Sequence, residues 1–367
     1  MKKGIISLFI IGLFFFGCTG VEDQQPNKEE PEVDVTDPSN PSTEEKKEET
    51  LEDWVNSIPQ RTSYQNPVTD VGLPDPTLIR GEDGLFYLFA TEDTWHNIPI
   101  MVSPNLIDWR YIGTVFSAAR RPKYIENGEL WAPDVNKVGD KYLLYYSFAR
   151  AWGTWDCAVG VATADSLRAK WQDYGKVFTS SDIDVIGSID PCFYSEGGKN
   201  WLIWGSYTGI WIIELSEDGL SVKPGAEKLC VANRYAIEGA ILHKRDNKYY
   251  LIVSEGGTAY GQHYRLGVFC SDYLLGPYFN KQGLAAAEDA EPEYFLSENE
   301  VFICPGHCSK IITDDAGKDW LLYHAFLKDI DYARYLMLDN VIWEDGWPRI
   351  GNGHPTKESS IAPYFNR

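Results

Sequence analysis

Positive charge is scarce in this 367-residue chain. Its 33 Lys and Arg stand against 54 Asp and Glu, a formal net charge of −21. That balance excludes a nucleic-acid partner, since neutralising phosphates takes a concentrated basic footprint. It also argues against a phosphorylated or strongly acidic substrate. Long hydrophobic runs are missing too. The best candidate, Ile5 to Phe16, falls short of the roughly 20 apolar residues that a membrane-spanning helix needs. Cysteine is sparse. Beyond Cys18 there are Cys157, Cys192, Cys230, Cys270, Cys304 and Cys308. Their spacings dictate no disulfide pairing; oxidation is open to an exported protein, and burial as free thiols is at least as well supported.

The N-terminal run follows Lys2 and Lys3 and precedes Gly17-Cys18, the charged start and apolar middle of a secretory signal. Phe15-Phe16-Gly17-Cys18 resembles a loose bacterial lipobox. The expectation is therefore a signal peptide over residues 1–18, lipidation at Cys18, and export to the bacterial outer membrane, on its periplasmic face or the cell surface. The lipid would be the only membrane contact; an ordinary signal peptide with an incidental Cys is the alternative. Between Thr19 and Gln60 there are 13 acids, 3 bases and almost nothing to bury. Residues 19–57 are accordingly expected to be a disordered acidic tether, and residues 58–367 one folded domain, acting as a monomer.

That domain is rich in Trp, Tyr and Gly, and one unit recurs in it five times. The copies open at Asp75-Pro76, Pro133-Asp134, Asp190-Pro191, Glu238-Gly239 and Gly306-His307. Each continues through an apolar stretch and a polar turn to an aromatic strand, beginning near Tyr87, Tyr142, Trp201, Tyr250 and Trp320. From leading residue to matching aromatic the spacing is 12, 8, 11, 12 and 13 residues. Such a repeat of short strands predicts an all-β, five-bladed β-propeller with four antiparallel strands per blade. The turns Glu82-Asp83-Gly84, Gly197-Gly198 and Asp246-Asn247 carry hairpin chemistry. A Leu followed by Trp or Tyr links the outer strands at Leu106/Trp109, Leu167/Trp171 and Leu274/Tyr278.

Equivalent positions of the blades lie on a ring, so Asp75, Asp134, Asp190, Glu238 and His307 are expected to converge. One Asp-Pro could simply cap a turn; four acids and a histidine at one blade position are harder to explain by packing. Crowded carboxylates cannot all ionise at their usual pKa. Separated pKa values allow one to act as acid and another as base, the pairing used in glycoside hydrolysis. Apolar and small neighbours of Glu238 favour its protonated form. Trp95, Trp131, Trp152, Trp155, Trp204 and Tyr207 could line a sugar cleft, although most of these aromatics would serve equally as core.

Leu73-Pro74-Asp75-Pro76-Thr77, Ser188-Ile189-Asp190-Pro191 and Ile237-Glu238-Gly239 resemble the three motifs of glycoside hydrolase family 43. So do Trp131-Ala132-Pro133-Asp134, Gly306-His307-Cys308-Ser309 and Trp343-Glu344-Asp345-Gly346-Trp347-Pro348. The resemblance implies an inverting hydrolase. Asp75 would be its general base, Glu238 its general acid, and Asp190 the residue that orients Glu238 and raises its pKa. Trp95, Trp131, Asp134, Trp204 and Arg334 would contact sugar. For Arg334 a surface ion pair, and for Asp134 a turn cap, are the alternatives. The chemistry needs no cofactor.

Three readings stay open for His307: a contact to a structural calcium in the central channel, a bond to Asp190, or a soft-metal site with Cys304 and Cys308. The short form of the chain, the Trp131 motif and His307 lean towards α-L-arabinofuranosyl linkages of plant arabinan or arabino-oligosaccharides. Pro74 departs from the His that often precedes the first catalytic Asp in arabinanases, and xylosyl substrates are the runner-up. A surface glycan-binding propeller without catalysis is a further alternative. Fructoside-cleaving relatives are disfavoured, because their Asn-Asp-Pro-Asn, Arg-Asp-Pro and Glu-Cys motifs are absent.

Overall fold

The computed structural model describes residues 49–366. The expected signal segment, Cys18 and most of the acidic stretch lie outside the described residues. The last seven residues of the expected tether differ from expectation, because Leu51–Ser57 form a helix. Thr50 and Asp53 make a reciprocal capping box, which satisfies donors that a helix start otherwise leaves open. Leu51 and Trp54 then pack on the aromatic cluster of the first two blades. Those two apolar side chains are what a purely acidic tether lacks.

Five sheets follow in chain order, each meandering through four main strands. Blade 1 comprises Thr77–Arg80, Phe86–Phe89, Asn97–Ser103 and Arg110–Phe116. Blade 2 comprises Glu129–Val138, Lys141–Ala149, Cys157–Ala164 and Gln172–Thr179. Blade 3 comprises Cys192–Glu196, Lys199–Trp204, Ile210–Leu215 and Leu229–Ala232. Blade 4 comprises Ile237–Arg245, Lys248–Gly256, Tyr264–Ser271 and Glu293–Leu296. In blade 5 the inner strand is broken into Phe302–Gly306 and Ile312–Thr313, both paired with Asp319–Leu327, and Arg334–Glu344 and Trp347–Ile350 complete the sheet. His307 falls in the break.

The turn chemistry acts as the sequence implies. Asp246 and Asn247 adopt φ of 50° and 62° between the inner strands of blade 4, the left-handed pair that a two-residue hairpin requires. Two of the Leu-to-aromatic links are hydrogen-bonded corners: Trp109 Nε1 donates to the Leu106 carbonyl at 2.9 Å, and Tyr278 OH to that of Leu274 at 2.6 Å; at Leu167/Trp171 the buried indole N–H has no partner among the described residues.

The aromatic richness is explained at the blade interfaces. Phe89 meets Trp171 between blades 1 and 2, Tyr145 stacks on Phe193 between 2 and 3, and Tyr194 meets Tyr249 between 3 and 4. Tyr250 meets Trp343 between 4 and 5. Each such pair contributes about 0.5–1.5 kcal/mol beyond its buried area. Both ends of the described chain close the ring. Ser63–Tyr64 pairs with Ser360–Ile361, while Tyr64 OH and Asn66 Nδ2 donate to the Leu338 carbonyl in blade 5. All six described cysteines are free thiols.

Candidate active site

One backbone device repeats around the ring. One residue in or just before the inner strand of each blade is left-handed: Asp75 (φ 54°), Ala132 (38°), Asp190 (58°), Gly239 (57°) and His307 (45°). For a non-glycine residue that conformation costs about 1–2 kcal/mol. The strain is held because most of these N–H groups are hung on a side chain at the end of the preceding blade's second strand. Ala132 donates to Thr91 Oγ1 (2.8 Å), Asp190 to Ser147 Oγ (2.8 Å), His307 to Ser254 Oγ (2.8 Å) and Asp75 to His324 Nδ1 (3.1 Å). Gly239 donates instead to Asp190 Oδ2 at 3.1 Å. An added Cβ at Gly239 would lie about 3.0 Å from the His307 ring, so glycine is required there for space as well as for φ.

This frame corrects the sequence register. The ring position is Ala132 in blade 2 and Gly239 in blade 4, not Asp134 and Glu238. A bulge in the first strand of each of those blades, at Trp131/Asp134 and Glu238/Ile241, shifts the count. Glu238 takes the place that Pro74, Trp131, Ile189 and Gly306 hold in the other blades. Asp134 sits two residues farther along its strand and does not line the cavity. Its buried carboxylate is consumed by structure: it accepts from the Phe193 N–H (2.6 Å) and Asn136 Nδ2 (2.7 Å) and pairs with Lys310 Nζ (3.1 Å). The sugar contact expected of Asp134 is therefore replaced by a bond between blades 2, 3 and 5. Asp134→Asn should lower stability by roughly 1–3 kcal/mol, because the hydrogen bonds that Lys310, Asn136 and the Phe193 N–H make to a charged carboxylate are weakened, while KM changes little. Thermal unfolding beside Michaelis kinetics checks this.

The expected catalytic trio does converge. Asp75, Asp190 and Glu238, distant in sequence, line one cavity of about 480 Å³ together with Trp131, His307 and Arg334. Asp75 Oδ2 accepts from Thr91 Oγ1 at 2.6 Å, and Oδ1 pairs with Arg334 Nη1 at 3.0 Å. His307 Nδ1 lies 3.4 Å from the same oxygen. Burial alone would raise the Asp75 carboxyl, but Arg334, His307, His324 and Thr91 together outweigh it and hold it well below the usual carboxylate range. Arg334 is thus the ion-pair partner of Asp75 at the cavity wall.

Asp190 is the opposite case. Burial, then the neighbouring charges of Glu238 and Asp75, push its carboxyl well above the usual range. Its bond to the Gly239 N–H fixes the backbone next to Glu238. The Glu238 carboxylate accepts three bonds: Tyr264 OH to Oε1 (2.9 Å), and Ser206 Oγ (2.7 Å) and Trp152 Nε1 (2.8 Å) to Oε2. The apolar surroundings anticipated for it are in fact a cradle of neutral donors. A low-pKa carboxylate, a raised one and a hydrogen-bonded one in a single concave site form the separated set that acid–base chemistry requires.

Other expected sugar contacts divide. Trp131 lines the cavity and is anchored by Nε1 to Glu129 at 3.0 Å. Trp204 is fully buried and donates to Ser188 Oγ, so it is core. Trp95 is 83% exposed and is not part of the cavity wall. His307 turns to Asp75 rather than to Asp190. Cys304 bonds the Gln262 carbonyl, and Cys308 is packed in the main apolar core.

Among the described residues no three His, Cys, Asp or Glu are arranged to hold a metal. Calcium takes six to eight oxygen ligands. Near His307, Asp75 is already paired with Arg334, so a calcium beside His307 would draw its oxygens largely from water. Thr91, Ser206, Tyr264 and His324 were missed by the sequence reading. For Thr91, Ser206 and His324 the signal is a hydroxyl or histidine four or five residues beyond the first aromatic of the second strand, at Thr91, Ser147, Ser206, Ser254 and His324; Tyr264, on the third strand of blade 4, carries no such signal.

A family profile described as glycosyl hydrolases family 43 matches residues 64–348. Arabinan endo-1,5-alpha-L-arabinosidase C of Emericella nidulans is 29% identical over 291 residues, covering 74% of this chain and 89% of that protein. The alpha-L-arabinanase of Cellvibrio cellulosa, solved with arabinohexaose, superposes with a TM-score of 0.69 at 27% identity over 77% of this chain and 96% of that one. An exo-1,5-alpha-L-arabinanase from a bovine ruminal metagenomic library gives 0.69 at 26% identity, over 79% and 100%.

Proposed function

The chain belongs to glycoside hydrolase family 43, and from that premise we propose that it cleaves α-1,5-linked L-arabinofuranosyl chains of plant arabinan with inversion at the anomeric carbon. The observation that carries the mechanism is the contrast between the two reacting carboxylates. Asp75 is kept ionised by Arg334 and stands ready to take a proton from attacking water. Glu238 lines the same cavity with no cation among the described residues paired to it, its carboxylate held by the neutral donors Tyr264, Ser206 and Trp152. Asp190 touches neither reacting atom in this scheme; through the Gly239 N–H it positions Glu238. Ionised water-activating base and proton-delivering acid each supply about 10²- to 10⁴-fold. Arabinan as substrate is supported by the arabinanases of similar sequence and shape. Both endo- and exo-acting proteins are among them, so chain cleavage pattern is decided by product length. Export and lipidation at Cys18 remain part of the proposal and rest on the N-terminal sequence.

The test is product analysis on linear and branched arabinan, arabinoxylan, xylo-oligosaccharides, and aryl α-L-arabinofuranoside and β-xyloside. Arabinose or short arabino-oligosaccharides are expected from linear arabinan, with the inverted anomer appearing first by proton NMR. Xylose release without arabinose would overturn the substrate, and first appearance of the retained anomer would overturn the mechanism.

A further inference from the structure

Trp152 is engaged in a way the catalytic scheme above leaves unused. It sits in the turn joining the second and third strands of blade 2, is 42% exposed, and yet donates from Nε1 to both Glu238 Oε2 and Ser206 Oγ. Its ring stands edge-on to Tyr207 at 4.9 Å, and Tyr207 edge-on to Tyr235 at 5.3 Å. Tyr235 is 66% exposed, so the row leads from the acid out to solvent. The turn is built rather than loose. Gly153 has φ +69° and lies so close to Tyr207 that an added Cβ would come within 2.8 Å of its ring. Thr154 Oγ1 donates to the Ala151 carbonyl, and the Thr154 carbonyl accepts from Gly187 N–H at 3.0 Å.

The two oxygens of Glu238 are not equivalent. Oε1 faces the fully buried Tyr264 hydroxyl, so only Oε2 can meet a leaving oxygen from the cavity. An indole N–H donates and never accepts. When Oε2 carries the proton to be delivered it accepts less well, and Trp152 Nε1 is left to Ser206 Oγ, its second acceptor, and to a hydroxyl or ether oxygen of the departing sugar.

We propose that Trp152, Tyr207 and Tyr235 form the platform for the leaving-group side of the substrate, with Trp152 Nε1 passing from Glu238 Oε2 to the departing sugar as the acid is loaded. In the step itself the Glu238 proton moves to the glycosidic oxygen as its bond to the anomeric carbon breaks, water supplies the new C–O bond, and Asp75 takes the water proton. The restored Glu238 carboxylate then accepts from Trp152 again. Trp152 is a positioning residue. The inference rests on Glu238 being the general acid, and it makes leaving-group length a determinant of rate.

The experiment compares an unbranched arabino-oligosaccharide with 4-nitrophenyl α-L-arabinofuranoside, measuring kcat and KM separately for Trp152→Phe and Tyr235→Ala. Trp152→Phe should lower kcat/KM on the oligosaccharide by about tenfold, the size of one lost hydrogen bond, and on the aryl substrate by a clearly smaller factor. Tyr235→Ala, at an exposed ring that folding does not need, should raise KM for the oligosaccharide and leave its kcat nearly intact. Equal losses on both substrates, or none on either, would overturn the platform. A wild-type protein that cleaves only the corresponding xylosyl pair would sink the arabinan reading, while the same ratio measured on that pair would still decide the platform.

Discussion

Asp75→Asn is expected to lower kcat by about 10²- to 10⁴-fold, equally on sugar and aryl leaving groups, because every substrate needs an activated water. The amide should fold, with a modest loss of melting temperature. Arg334 loses its charge partner, but Asp190 is relieved of one of the charges that raise it. The ion pair also sets a pH dependence. A carboxyl whose folded pKa lies below its unfolded value contributes stability that is present above about pH 4 and is lost as pH falls towards the folded value. Asp75 is held in that direction. It therefore stays ionised through the weakly acidic range, and kcat/KM should show no acid limb of its making between pH 7 and about 4. Asp75-linked stability should start to fall only below that. A pH–rate profile alongside thermal melts tests both statements. An acid limb centred near pH 6 in fully folded protein would show that Arg334 does not hold the base ionised.

Glu238→Gln separates leaving groups. Its loss should reach about 10²- to 10⁴-fold on arabino-oligosaccharides, whose departing alkoxide must be protonated. It should be far smaller on 4-nitrophenyl arabinofuranoside, whose leaving group departs as a stable anion. The substitution is well tolerated by the cradle: the amide oxygen can face Ser206 and Trp152, and the amide N–H can donate to Tyr264 OH, since a tyrosine hydroxyl both gives and accepts. Undiminished oligosaccharide turnover by the Gln protein would place the acid elsewhere in the cavity.

Much of this was legible along the chain, because it is local. Hairpin residues such as Asp246-Asn247, the five aromatic strands and the Leu-to-aromatic corners depend on neighbours a few residues away, and they specified a five-bladed propeller. The Asp-Pro and Glu-Gly motifs, with their resemblance to a known family, likewise singled out Asp75, Asp190 and Glu238. What failed was placement that depends on a bulge or on another blade. One extra residue in an inner strand moves every later side chain on it. That is why Asp134 became an inter-blade tie to Lys310, and why Ala132 rather than an acid stands on the ring.

Composition marked Trp204, Trp95 and Trp152 alike as aromatic, and no periodicity separates them. Only the packing of blades made the first core, left the second exposed and set the third on Glu238. The charge states followed the same division. The sequence by itself determined that carboxylates would meet. The tertiary structure decided which would be charged, because Arg334 and two histidines reach Asp75 from blade 5 while Asp190 is buried beside two other acids. Desolvation and Coulomb interaction depend on distance through space, and the chain order does not contain that distance.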